Sequence, residues 1–198
     1  MKKINKGFIL TLIVLVALTL YILKVEMQRN ADKEEIQKVY EEFIDFTDKY
    51  AVLPENLQTI TETKSEEKIN EYKNKMKADL KKLMIDNEEA VNLQYKQLEK
   101  VLTSSYNKLE VRTSQERKIN KITTYRFNGN KVDVKFEGTV ERKVKFYNGT
   151  EEQTETKSFD TVYDEIVLQK VDGEWKVKYA NLHFNKQYYV KEDMDTTF

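Results

Sequence analysis

Val171-Asp172-Gly173-Glu174-Trp175-Lys176-Val177-Lys178-Tyr179 is the stretch on which the fold turns. Asp-Gly tolerates the positive φ values of a tight hairpin turn, and the residues after it alternate between apolar and charged. Trp175, Val177 and Tyr179 are therefore expected on one face, toward a core, with Lys176 and Lys178 on the other. That is a strand with one buried and one wet face.

Two more turns of the same kind lie upstream, Asn128-Gly129-Asn130 and Asn148-Gly149-Thr150. Between them Val132, Val134, Phe136 and Val140 again alternate with charged residues. The pattern predicts four strands, near residues 115–127, 131–147, 155–171 and 174–185, joined by consecutive hairpins into an antiparallel meander. Gly138 and a change of phase near Asn181 predict bulges that bend the sheet. Asn148-Gly149-Thr150 also matches a glycosylation sequon, but the hairpin already explains it.

Before the sheet the period is helical. Asp32 with Glu35 three residues on reads as a capping box, followed by Ile36, Val39, Tyr40, Phe43, Ile44 and Phe46. Pro54 marks the exit, and residues 54–64 read as a polar connection. A second helix starts at Ser65 and carries Ile69, Tyr72, Met76, Leu80 and Leu83 on one stripe. Asp86 and Glu89 predict a break, then a third helix bearing Val91, Tyr95, Leu98, Val101 and Leu102; one helix over 66–105 would bury the same stripes. Helices followed by strands make the class α+β, with the helices packed on a bent antiparallel sheet of four strands or slightly more.

Residues 7–23 are an uncharged apolar run preceded by Lys2, Lys3 and Lys6. At 1.5 Å rise per residue the run spans about 25 Å, the short end of a membrane crossing. It could be a cleaved signal peptide or a permanent signal anchor. It ends Leu20-Tyr21-Ile22-Leu23, bulky where a signal peptidase needs small side chains, which favours the anchor. The three lysines place the N-terminus in the cytoplasm. The expected organisation is a cytoplasmic stub (1–6), a transmembrane anchor (7–23) and a juxtamembrane segment (24–31). An extracytoplasmic domain (32–187) follows, with a helical half (32–107) and a sheet half (112–187), then a polar tail (188–198).

Composition narrows the chemistry. Without the three N-terminal lysines, 31 basic residues face 34 acidic ones, so no basic face for nucleic acid is expected. There is no cysteine, hence no disulfide, thiol nucleophile or thiolate metal site. With a single histidine and no phosphate-binding loop, no metal site and no cofactor is expected.

The element order, with Val171–Tyr179 looking like the penultimate hairpin and last strand of many bacterial members, resembles the nuclear transport factor 2-like superfamily over residues 32–185. The resemblance implies a cone: helices lying in the concave face of a curved sheet around an apolar pocket. It also implies two settings for an anchored member. One is an exported accessory domain of cell-wall or envelope-stress systems in Gram-positive-like bacteria. The other is a bitopic component of a conjugation or type IV secretion apparatus. Residues 50–110 are longer and more charged than a minimal three-helix cap.

Three candidate sites follow. Some members of that superfamily are enzymes with a His–Asp or paired-carboxylate base; here His183 and Asp164 lie on neighbouring predicted strands, roughly opposite one another. A partly exposed strand histidine is the plainer explanation. Tyr40, Phe43, Tyr72, Tyr95, Trp175 and Tyr179 could line a ligand pocket, although their spacing makes them core residues first. Arg142, Lys143 and Lys145 could form a partner surface on the wet face, opposite Glu155 and Asp160, or simply pair across the sheet. The expected function is a non-enzymatic, membrane-tethered binding or assembly module, held in the membrane through residues 7–23. Its partners would be other envelope proteins or a second copy of itself. A small-molecule-binding or catalytic domain using His183 and Asp164 is the remaining alternative.

Overall fold

The computed structural model describes residues 6–60, 65–106 and 109–184. Lys2, Lys3, residues 61–64 of the expected connection and the tail with Tyr188 and Tyr189 lie outside them. The chain divides into two compact units, one ending at Lys38 and one beginning at Val39.

The described residues of the first unit are helical, and helix α1 runs from Lys6 to Tyr50 without interruption. The capping box at Asp32 therefore starts no helix. Nothing in residues 24–35 breaks the preceding turns, since that stretch has no glycine or proline, and Asp and Glu sit in a helix interior once the turn before them is formed. From Ile9 to Leu23 the apolar run is exposed, between 42% at Ile9 and 68% at Tyr21. With a mean hydropathy of 2.3 over an 18-residue window, this helix is long and apolar enough to cross a membrane.

The second unit is α+β: the end of α1, two further helices and a four-stranded antiparallel open sheet. A 3₁₀ turn at Glu55–Leu57 follows Pro54 and buries Leu57. Helix α2 (Glu66–Leu83) is capped by Ser65, whose Oγ accepts from the Lys68 amide at 3.4 Å. The predicted break is present. Helix α3 (Glu88–Thr103) starts one residue after Asn87, whose Oδ1 accepts from the Ala90 amide at 2.9 Å, so Asn87 rather than Asp86 is the cap. The linker is held by the sheet: the Ile85 amide donates to the Val177 carbonyl at 2.9 Å.

The strands are β1 (Glu110–Asn128), β2 (Lys131–Tyr147), β3 (Glu152–Val171) and β4 (Glu174–Asn181), in that order across the sheet. All three turn glycines have positive φ, and at Asp172-Gly173 both residues do, as a type I′ hairpin requires. The core of this unit fills the space between helices and sheet with Phe43, Tyr50, Leu53, Met76, Leu80, Leu98, Phe136, Ile166 and Leu168, all fully buried.

Alternation fails at one predicted position. Trp175 and Val177 are buried, but Tyr179 is 36% exposed and Ala180 takes the inward place. The register slips between Val167 and Leu168, whose partners are Tyr179 and Val177, and one extra residue in β4 flips the side chains that follow.

Candidate functional site

A second irregularity creates the most polar part of the interior. Gly138 pairs with Thr161 and Phe136 with Asp164, so Glu137 alone faces both Val162 and Tyr163. This is a bulge, and Tyr163 takes φ 63° within it. Without the bulge, residues 161 and 164 would point to opposite faces. With it, both turn inward, Thr161 at 3% and Asp164 at 0% exposure. Gly138 permits the close approach: a Cβ there would lie 2.7 Å from the Lys118 carbonyl oxygen.

Asp164 collects four donors. Its Oδ1 accepts from the His183 amide at 2.7 Å and meets the His183 ring Nδ1 at 2.8 Å. Its Oδ2 accepts from Thr161 Oγ1 at 2.7 Å and from Arg117 Nη1. Arg117 also donates to the His183 carbonyl at 2.7 Å, and its guanidinium lies 5.3 Å from the Phe184 ring centre. A carboxylate offers about four acceptor positions, and all are used here. Such a group holds structure in place and has no lone pair left to take a proton from a substrate. With Nδ1 on Asp164, any proton exchange by His183 falls to Nε2.

Beside this node lies a second one, centred on Gln115. Its Nε2 donates to Asp48 Oδ1 at 2.7 Å, while its Oε1 accepts from Arg142 Nε at 2.9 Å and from Arg112 Nη1 at 3.3 Å. Arg112 Nη1 also donates to the Ala51 carbonyl at 3.2 Å. Asp48 and Ala51 belong to the end of α1 and the turn after it, so this cluster ties the first helix of the unit to β1 and β2. Burial sets the protonation equilibria. It raises Asp48 above the ordinary aspartate value against the opposing hydrogen bond from Gln115 and the charge of Arg117. It lowers Arg112, with Glu110 and Asp48 opposing. It also pushes Arg142 down to about 9, helped by the charges of Arg112 and Arg117.

Arg142 is thus on the buried face, in phase with Val140 and Val144, and not beside Lys143 and Lys145. The expected three-residue partner surface does not form, because side chains one and three residues apart on a strand point to opposite faces. Nor do these residues stand opposite Glu155 and Asp160: the partners of Arg142, Lys143 and Lys145 are Lys157, Thr156 and Thr154. Lys143 remains exposed.

The six aromatic residues are scattered. Tyr40, Phe43 and Trp175 are core, Tyr95 is half-buried beneath Lys77, and Tyr179 is exposed. Tyr72 stacks on Tyr50 at 5.0 Å and lines a groove of about 290 Å³ with Pro54, Leu57 and Lys75. A separate cleft of about 270 Å³ is lined by Arg112, Arg142, Val144, Lys157 and Phe159, and neither His183 nor Asp164 borders it. Among the described residues no group of three or more His, Asp and Glu side chains is placed to hold a metal ion.

Asp48, Arg112, Gln115, Arg117 and Thr161 were not singled out from the sequence. The one available signal was polar residues at inward phase along β1, and the register shift between Arg112 and Ser114 masks even that.

No family model matches this chain, and no curated protein matches it. Among solved structures, the intermembrane space region of chloroplast protein ARC6 is similar at 7% identity and a TM-score of 0.32, over 53% of this chain and 75% of that one. A likeness of that size carries no argument about fold or function.

Proposed function

We propose that this chain is a membrane-tethered, non-enzymatic binding or assembly module on the outer side of a bacterial cytoplasmic membrane. The observation that carries the proposal is the apolar run of α1, which is exposed among the described residues and therefore calls for another apolar medium. Tethering confines the domain to two dimensions and raises its effective concentration toward other membrane proteins, so a modest interface suffices. The helices-then-meander order keeps the nuclear transport factor 2-like superfamily within the proposal. Cell-wall or envelope-stress partners and a conjugation apparatus are its two settings. Protease added to intact spheroplasts should digest the domain; survival of full-length chain would overturn the orientation. Reversing Lys143 to Glu should impair cellular activity at unchanged melting temperature if the outer sheet face docks a partner.

A second reading has one observation in its favour, the contact between His183 Nδ1 and Asp164 at 2.8 Å. A carboxylate that orients an imidazole is half of an acid–base device. The occupied lone pairs of Asp164 support a structural role instead. Abolition of cellular activity by His183→Ala in a folded protein would favour the enzyme.

A further inference from the structure

The cleft beside the Gln115 node brings cations together with too few anions. Among the described residues the buried charged side chains are Arg112, Arg117 and Arg142 against Asp48 and Asp164. Asp164 is engaged by Arg117, while Arg112 and Arg142, at 7% and 8% exposure, converge on the neutral oxygen of Gln115. Asp48 reaches them through that amide. Next to them, Lys157 is the register partner of Arg142 across β2 and β3, and like charges directly opposite each other repel. Lys157 is exposed and leans to Glu155 at 3.5 Å. The cleft lining itself has one carboxylate, Glu110, against three cations.

Buried like charges are retained at a cost unless something offsets them. Burial and the neighbouring guanidiniums push Arg142 down to about 9, the direction expected where positive charges are crowded. The walls add specificity. Phe159 covers one face of the Arg142 guanidinium, with its ring centre 4.8 Å away, and Val144 is apolar. Recognition therefore comes through N–H groups in the guanidinium plane, a fork that matches a carboxylate.

We propose that the cleft between Arg112, Arg142 and Lys157 binds an organic carboxylate, with the anion against the guanidinium groups and an apolar body against Phe159 and Val144. At about 270 Å³ it suits a small ligand or a single acidic terminus. This deepens the binding-module proposal by naming the chemistry that such a module captures. It is tested on purified protein, so its failure leaves the tethering proposal, which is tested in cells, standing.

The probe is phenylacetate, titrated into the full chain in detergent and followed by saturation-transfer NMR, with neutral phenylacetamide and inorganic phosphate as comparators. Saturable binding of phenylacetate, with none of phenylacetamide, is expected. Arg142→Gln should weaken it about tenfold or more, the loss of a charge-assisted hydrogen bond. Lys157→Gln, at the exposed rim and safe for folding, should weaken it about two- to fivefold. The proposal is overturned if phenylacetate does not bind, or if phenylacetamide binds equally well. It also fails if phosphate alone binds, or if the Lys157 and Arg142 variants, folded by circular dichroism, bind phenylacetate as wild type does.

Discussion

Strand β2 contains two different interiors on one face. At its start, Val132 and Val134 are fully buried between Phe127 and Tyr125 on β1 and Leu168 and Ile166 on β3. Ten residues on, the same face carries Arg142, flanked by Gln115 on β1 and Lys157 on β3. The backbone pairing is the same in both places. What differs is the cover: acceptors from the end of α1, Asp48 and the Ala51 carbonyl, reach the second region through Gln115 and Arg112. Alternation thus selects a face, while the neighbouring element decides what that face can hold.

The largest expected effects come from cutting each region at its centre. Trp175→Ala in the apolar region should destabilise by about 3–5 kcal/mol, read by chemical denaturation followed with circular dichroism. Arg117→Met in the polar region should match it at about 3–5 kcal/mol, because Asp164 would be left buried without its ion pair. The regions should part company in the double variant. Adding Asp164→Leu to Arg117→Met should recover most of the loss, since a buried pair replaced as a whole is often neutral. No recovery would mean that the polar node positions the bulge rather than merely tolerating charge.

Smaller effects test the bulge between the regions. Gly138→Ala should cost about 1–3 kcal/mol, because the new methyl would meet the Lys118 carbonyl at 2.7 Å and backbone has little room to move. Tyr163→Gly should stabilise by about 0.5–1 kcal/mol by relieving a left-handed backbone at a 70% exposed side chain. A fall in stability would show that the exposed ring holds the bulge in place.

The smallest effect belongs to the helical side and appears only in alkali. Burial raises the Tyr72 hydroxyl to about 12, and Tyr50, hydrogen-bonded to Asp79 at 2.8 Å, is raised as well. Both folded values lie above the ordinary 10.0. Between the two values the unfolded chain loses protons that the folded chain keeps, so stability is intact below the ordinary value and falls as pH climbs through the folded one. Tyr72→Phe should flatten that decline in alkaline melting curves; an unchanged slope would remove Tyr72 from the account.

Much of the sheet was legible because its signals are local. Gly129, Gly149 and Gly173 each announce a turn by composition, and at Gly129 and Gly173 a two-residue turn sets the register of the hairpin. The break before Glu88 was legible for the same reason, although the cap is Asn87, one residue beyond the Asp86 that the sequence pointed to. His183 and Asp164 could be placed near one another by counting from Gly173. Their partners could not, since Arg117 is 47 residues from Asp164 and comes to it only across the width of the sheet.

By itself the sequence determined the apolar run of α1, the α+β order, three hairpin turns and the inward stripe of β2 through Phe136. These depend on spacing within a few residues, which the chain carries wherever it folds. Only the tertiary structure decided that Tyr179 turns outward. It also decided that Thr161 and Asp164 share a face. Both follow from one-residue slips in the pairing of the strands. A single extra residue in a strand inverts every side chain after it, and no local pattern records the slip.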